Sequence, residues 1–200
     1  QDLCAVCAVD ISVVGDALAF LGCRANVVTI DPHTLAEVDE SILRLGEVTG
    51  RRASSRALVS SIQQRMTHVA DRVKDRPRPR VAVLEWTDPP FAPGHWIPEM
   101  VWLAGGDPVI GAIGAASRRI SWDDVKAAQP DVVVIAACGY DRQGTTALAH
   151  DLASRGVLPP GVRVVAVDAN ASWARPGTRL VDGIEELAEF LHPATDQALA

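Results

Sequence analysis

The sequence predicts an α/β protein built on a parallel sheet, and three observations carry that expectation. Short apolar, β-branched runs recur at 80–84, 131–136 and 162–167, each followed by a loop and a helix-patterned stretch. Residues 53–73 place Leu58, Ile62, Met66, Val69 and Val73 at spacings of four, four, three and four, one apolar stripe along a helix. Two capping boxes, Thr34-Leu35-Ala36-Glu37 and Ser121-Trp122-Asp123-Asp124, mark helix starts, because a hydroxyl accepts from first-turn amides while the acid reaches back.

Taken in order, residues 8–21 carry helical periodicity that stops at Gly22, and 26–30 read as a strand. Asp31-Pro32-His33 turns the chain into the helix capped by Thr34, which ends near Gly46 or Gly50. The striped helix follows; about twenty residues at 1.5 Å each make it about 30 Å long, enough to join two lobes or to pack on one. His68 on its flank reads as solvated. Arg76-Pro77-Arg78-Pro79-Arg80 is a stiff connector. The strand at 80–84 comes next, then a helix at 98–104 closed by Gly105-Gly106, a helix opened by Ser121, the strand at 131–136 and a helix at 143–154. The strand at 162–167 and a helix at 179–191 complete the pattern. Repeated strand–loop–helix units give right-handed crossovers, so the loops after the strands share one edge.

That edge is where open α/β sheets bind ligands. The first loop, Glu85-Trp86-Thr87-Asp88-Pro89-Pro90-Phe91-Ala92-Pro93-Gly94-His95-Trp96, is stiffened by prolines that can neither continue a strand nor enter a helix. It brings Trp86, Phe91, His95 and Trp96; the second loop adds Tyr140 and the third Trp173. Only nine aromatic residues occur in the chain, so their concentration in these loops reads as a shelf for a flat ligand, against the alternative that Trp86, Phe91 and Trp96 are core. Arg118 and Arg119 either answer a ligand's polar groups with their planar donor forks or are ordinary surface charge. Glu85 and Asp88 have no nucleophile or second acid at a matching strand end, and Glu85 is expected to bond the loop's own amides.

Composition excludes several classes. The 200 residues carry a net charge of −6 with no basic stripe, which argues against nucleic acid. No apolar run approaches the length of about 18 residues needed to span a bilayer. The glycines at 105, 106, 111 and 114 form no phosphate-binding motif. Cys4, Cys7, Cys23 and Cys138 are too few for a disulfide scaffold and lack a partner pair at zinc-ligand spacing, so they read as packing residues. Gln1 is either a processed end or a cut.

Leu84-Glu85-Trp86, Asp88-Pro89-Pro90-Phe91, Gly94-His95-Trp96, Ala104-Gly105-Gly106, Ser117-Arg118-Arg119-Ile120-Ser121-Trp122 and Cys138-Gly139-Tyr140-Asp141 together resemble the cobalamin-binding branch of the substrate-binding proteins of ABC importers. The likeness extends to the stretch from Gln1 to Cys7, to Asp31-Pro32-His33-Thr34-Leu35, to Arg175-Pro176-Gly177 and to Leu180-Val181-Asp182-Gly183. It implies a Rossmann-like parallel-sheet lobe (78–192, with a tail at 193–200), joined by a long backbone helix and linker (51–77) to a partial second α/β lobe (1–50). The opening elements of that second lobe are absent, as in a fragment or a shortened protein.

The resemblance implies a wall formed by Trp86, Phe91, His95, Trp96, Arg118, Arg119, Tyr140 and Trp173, facing Gln1, Asp2 and Cys4. It implies no catalysis, cobalamin as transported ligand rather than cofactor, and a permease partner for which Glu99 and Asp107 are the candidate docking acids, with solvated charge the plainer reading of both. His95 would either ligate cobalt or bond the corrin edge. Location at the periplasmic or outer membrane surface is expected, with the cytoplasm open because no export signal precedes Gln1. The competing readings are a haem or ferric-siderophore carrier of the same fold and a doubly wound enzyme.

Overall fold

The structure, a computed structural model, describes residues 11–22 and 27–193. Three helices come first: α1 (Ile11–Phe20), α2 (Leu35–Val48) and α3 (Arg52–Val73). There follow β1 (Arg80–Leu84), β2 (Trp86–Thr87), β3 (Pro90–Ala92), α4 (Ile97–Leu103), β4 (Asp107–Pro108), β5 (Arg118–Arg119) and α5 (Trp122–Ala127). The chain continues through β6 (Val132–Ile135), α6 (Arg142–Arg155), β7 (Arg163–Ala166), α7 (Ala169–Ser172) and α8 (Leu180–Leu191).

The main sheet has the order β4-β1-β6-β7 and every pairing in it is parallel. The central β1 and β6 are buried along both faces, which is why they read as unbroken apolar runs rather than alternating ones. Alternate side chains serve two cores. Val81, Val83, Val132 and Val134 pack with Val69 and Val73 of α3, Met100 and Val101 of α4, and Ile184 and Leu187 of α8. Ala82, Leu84, Val133 and Ile135 pack on the other side with Val125 of α5 and Leu152 of α6. Leu35 and Val38 of α2 belong to the first core.

Both expected helix starts form. Thr34 accepts from the Glu37 amide and caps α2, but Glu37 reaches back to the His33 amide, one residue earlier than a full capping box requires. Ser121 and Asp124 complete the reciprocal pair at α5. The buried stripe of α3 runs Ser55, Val59, Ile62, Val69 and Val73 with Met66 half-buried, so Leu58 faces out. Starting the stripe one residue later restores the 3.6-residue period, and Ser55 meets Gly46 of α2 so closely that a Cβ there would lie 2.0 Å from its Oγ.

Two expectations are corrected and one strand is added. Of the strand expected at 26–30, the described residues 27–30 form none, and among the described residues no strand pairs with them. The proline loop is not irregular: Trp86 pairs with Phe91 and Thr87 with Pro90 in an antiparallel hairpin, extended by β5. Proline lacks a donor but keeps its acceptor, and Pro90 takes the Ile120 amide at 2.9 Å. The sheet also gains β4, where Asp107 donates to Pro79 just past the Gly105-Gly106 turn. Cys138 is half-buried beyond β6, His68 is exposed, and Cys4, Cys7 and Cys23 lie outside the described residues.

Candidate functional site

Loops at the carboxyl ends of β1, β6 and β7 do converge. The Cys138 amide donates to Glu85 at 3.1 Å, the Asn170 amide to Tyr140 at 3.1 Å, and Asn170 Nδ2 to Gly139 at 2.9 Å, which ties each loop to the next. Asp141 and Asp168 start α6 and α7 by accepting from Gly144 and Ala171, so each loop ends at a capped helix.

On this edge Trp86 stands out, 38% exposed, its Nε1 donating to Asp88 at 3.0 Å and its ring 5.8 Å from Tyr140 in an edge-on arrangement. Phe91 is half-buried and lies directly opposite Trp86, and Arg119 lies directly opposite Phe91, so the three share one face of the small sheet. Arg118 is exposed too, but it pairs with Ala92 and so stands on the opposite face of the small sheet, not with these three as expected. Among the described residues neither arginine enters an ion pair. Trp86, Tyr140 and Phe91 therefore form an open aromatic patch with the Arg119 guanidinium at its margin.

Trp96 and Trp173 are not on that patch. They are 4% and 0% exposed, and Trp96 Nε1 donates to the Trp173 carbonyl at 2.9 Å. Trp96 leads into α4, whose inward face carries Ile97, Met100 and Val101, and Trp173 packs against Gly183 of α8, which draws both indoles into the core. They belong to the core rather than to the patch. Gln1, Asp2 and Cys4 lie outside the described residues.

His95 adopts a left-handed backbone (φ 51) and is half-buried, with its ring 5.7 Å from Trp96 and 5.2 Å from His33. Burial first, and then the neighbouring His33, holds its pKa below the ordinary imidazole value, which favours the neutral ring. Its amide donates to Ala115 at 2.7 Å and its carbonyl accepts from Gly114 at 3.0 Å. Gly94 must be glycine here, since a Cβ would sit 2.2 Å from the Ala115 oxygen. His33 Nδ1 lies 3.3 Å from the Gly114 carbonyl and His33 Nε2 3.5 Å from Asp31, so the turn before α2 touches the same loop.

Beneath these loops the Glu85 carboxylate accepts from the Gly94 amide and the Ser117 hydroxyl, and burial pushes its pKa up to about 7. The Gly94 bond meets the expectation for Glu85. Asp88 is exposed and faces Arg155 at 3.5 Å, so no paired-carboxylate site forms. Glu99 accepts from the Leu35 amide at 2.8 Å and closes the start of α2, and Asp107 lies 3.8 Å from Arg80 at the surface. Among the described residues no three His, Cys, Asp or Glu side chains are placed to hold a metal ion, and no helix is long and apolar enough to cross a membrane.

Sequence reasoning missed His33 and Ser117 as parts of this site. His33 was visible only as a turn residue, and Ser117 carried no signal, because both act across long sequence separations.

A family model described as periplasmic binding protein matches residues 9–156. No curated protein matches the sequence. Solved structures of similar fold include a periplasmic binding protein from Veillonella parvula (23% identity, TM-score 0.68, 80% of this chain and 58% of that one). A second is the periplasmic vitamin B12 binding protein BtuF of Vibrio cholerae (20% identity, TM-score 0.68, 90% and 69%). A third is the periplasmic heme-binding protein RhuT from Roseiflexus sp. RS-1 in apo form (18% identity, TM-score 0.70, 90% and 71%). The chain thus spans 58% to 71% of the length of these three.

Proposed function

The chain belongs to the periplasmic binding protein family, and from that premise we propose that it is the capture component of an ABC importer, binding cobalamin or a related corrinoid and delivering it to a permease without catalysis. The observation that carries this reading is the exposed patch of Trp86, Tyr140 and Phe91 on the shared loop edge, with Arg119 in register beside it. A corrin is a broad apolar plane with amide-bearing rims. Indole, phenol and phenyl faces offer it contact area, while Arg119 answers the rim carbonyls. His95, kept neutral by burial, is suited to a hydrogen bond at the corrin edge or to cobalt ligation. Work at the periplasmic or outer face of a membrane belongs to the same proposal.

A haem or ferric-siderophore cargo is the second reading, and one observation favours it. Arg119 stands on the face of Trp86 and Phe91 and enters no ion pair among the described residues, which suits a ligand bearing carboxylates. Titration with cyanocobalamin, haemin and a ferric siderophore, followed by tryptophan fluorescence, separates the cargoes. Trp86 is the exposed indole at the patch, so quenching by a cargo that disappears in Trp86→Phe marks binding there. Quenching by cyanocobalamin alone supports the corrinoid; quenching by haemin or siderophore alone transfers the assignment.

A further inference from the structure

A second concavity lies away from the aromatic patch, between α2, α3 and α4. Its volume is about 330 Å³, and its walls are Leu35, Met66, Trp102, Leu103 and Ile113, with Asp39 and Glu99 also lining it. None of Trp86, Phe91, Arg118, Arg119 or Tyr140 contributes to it. The volume sits at the small end of the roughly 300–1,000 Å³ typical of small-molecule sites.

Its charge is unbalanced. Asp39 is 8% exposed, and its only described hydrogen-bond partner is the neutral Gln63, whose Nε2 donates at 2.9 Å. Glu99 is committed to the Leu35 amide. No Lys or Arg among the described residues pairs with either acid, although Arg65 a turn away on α3 is held by Asp182 and Glu185. A buried carboxylate without a counter-charge is costly, and burial raises the Asp39 pKa accordingly. The rim adds Trp102, half exposed, with one face of its ring already carrying the Arg78 guanidinium at 3.8 Å. Indole faces attract cations, and the net charge of −6 biases the surroundings the same way.

We propose that this groove is a second ligand site, independent of the cargo shelf, that takes a small organic cation: a protonated amine carried on an apolar body. The ammonium pairs with Asp39, the body lies against Met66, Leu103 and Ile113, and Trp102 closes one side.

Isothermal titration of the full chain with phenethylamine, against its neutral isostere 2-phenylethanol, tests this. Phenethylamine binds with a dissociation constant on the order of 1 mM, as ligand efficiency allows for so small a molecule, and 2-phenylethanol at least tenfold more weakly. Asp39→Asn lowers amine affinity at least tenfold while leaving any cyanocobalamin quenching at Trp86 unchanged. Because Asn could disturb the contact with Gln63, Ile113→Trp, which fills the groove from its exposed rim, provides the second test and abolishes binding with Asp39 intact. Equal binding of amine and alcohol, full amine affinity in either variant, or no amine binding at 20-fold excess over that constant overturns the proposal.

Discussion

Replacing Glu85 by Gln is expected to change the pH dependence of stability more than stability itself. Glu85 ends the central strand with its carboxyl under the loops, bonded to Gly94 and Ser117, and burial raises its pKa from an ordinary 4.5 to about 7. A folded-state pKa above the unfolded value means the unfolded chain gives up its proton first as pH rises. The folded state is therefore favoured fully below about 4.5, loses ground between about 4.5 and 7, and is flat above. The gap corresponds to roughly 3 kcal/mol at 1.36 kcal/mol per pKa step, an upper figure because other groups titrate in the same window. Glutamine carries no charge at any pH and removes that slope. Urea unfolding of wild type and Glu85→Gln at pH 5 and pH 8 checks it: the variant should gain about 2–3 kcal/mol relative to wild type on moving to pH 8. Parallel pH profiles for the two proteins would refute the placement of a buried, chargeable carboxyl at this position.

Trp86→Ala should leave the melting temperature within about 2 °C of wild type while weakening cargo binding by roughly 30-fold, the loss typical of an aromatic anchor; scanning calorimetry and fluorescence titration report the two. Trp173→Ala should do the reverse, costing about 3–5 kcal/mol by opening a cavity under α8, measured by chemical denaturation. Gly94→Ala should destabilise by about 2 kcal/mol or more and displace the His95 loop, visible as a changed His95 ring resonance in NMR, because backbone atoms and not flexible side chains occupy the Cβ position. Arg65→Ala should cost no more than about 1 kcal/mol, and less in high salt, since its pairs with Asp182 and Glu185 linking α3 to α8 are more than a third exposed.

The parts of the fold written in local pattern could be read before the structure. The uniform apolar runs at β1 and β6 follow from strands buried on both faces, and Thr34 and Ser121 announce helix starts through side-chain oxygens that bond their own first turns. What local pattern does not encode is the partner. Residues 27–30 have strand composition but no paired edge among the described residues, and the two-residue strands β4 and β5 have an edge without strand composition. The same limit governs the site. Trp86, Trp96 and Trp173 look alike in sequence, yet one is exposed and two are sealed, because burial depends on where α4 and α8 fall against the sheet. The spacing of Trp96 to Met100, one helical turn along the inward stripe of α4, was the available signal. For the Glu85–Ser117 and His33–His95 contacts there was none.

The most direct test of the account is equilibrium dialysis of the chain against cyanocobalamin, run beside the Trp86→Ala/Tyr140→Ala double variant. The account expects saturable retention of one corrinoid per chain by the wild type, and loss of that retention in the variant at unchanged melting temperature. Retention that survives removal of both rings would contradict the aromatic shelf, and absence of retention by the wild type would contradict the corrinoid assignment.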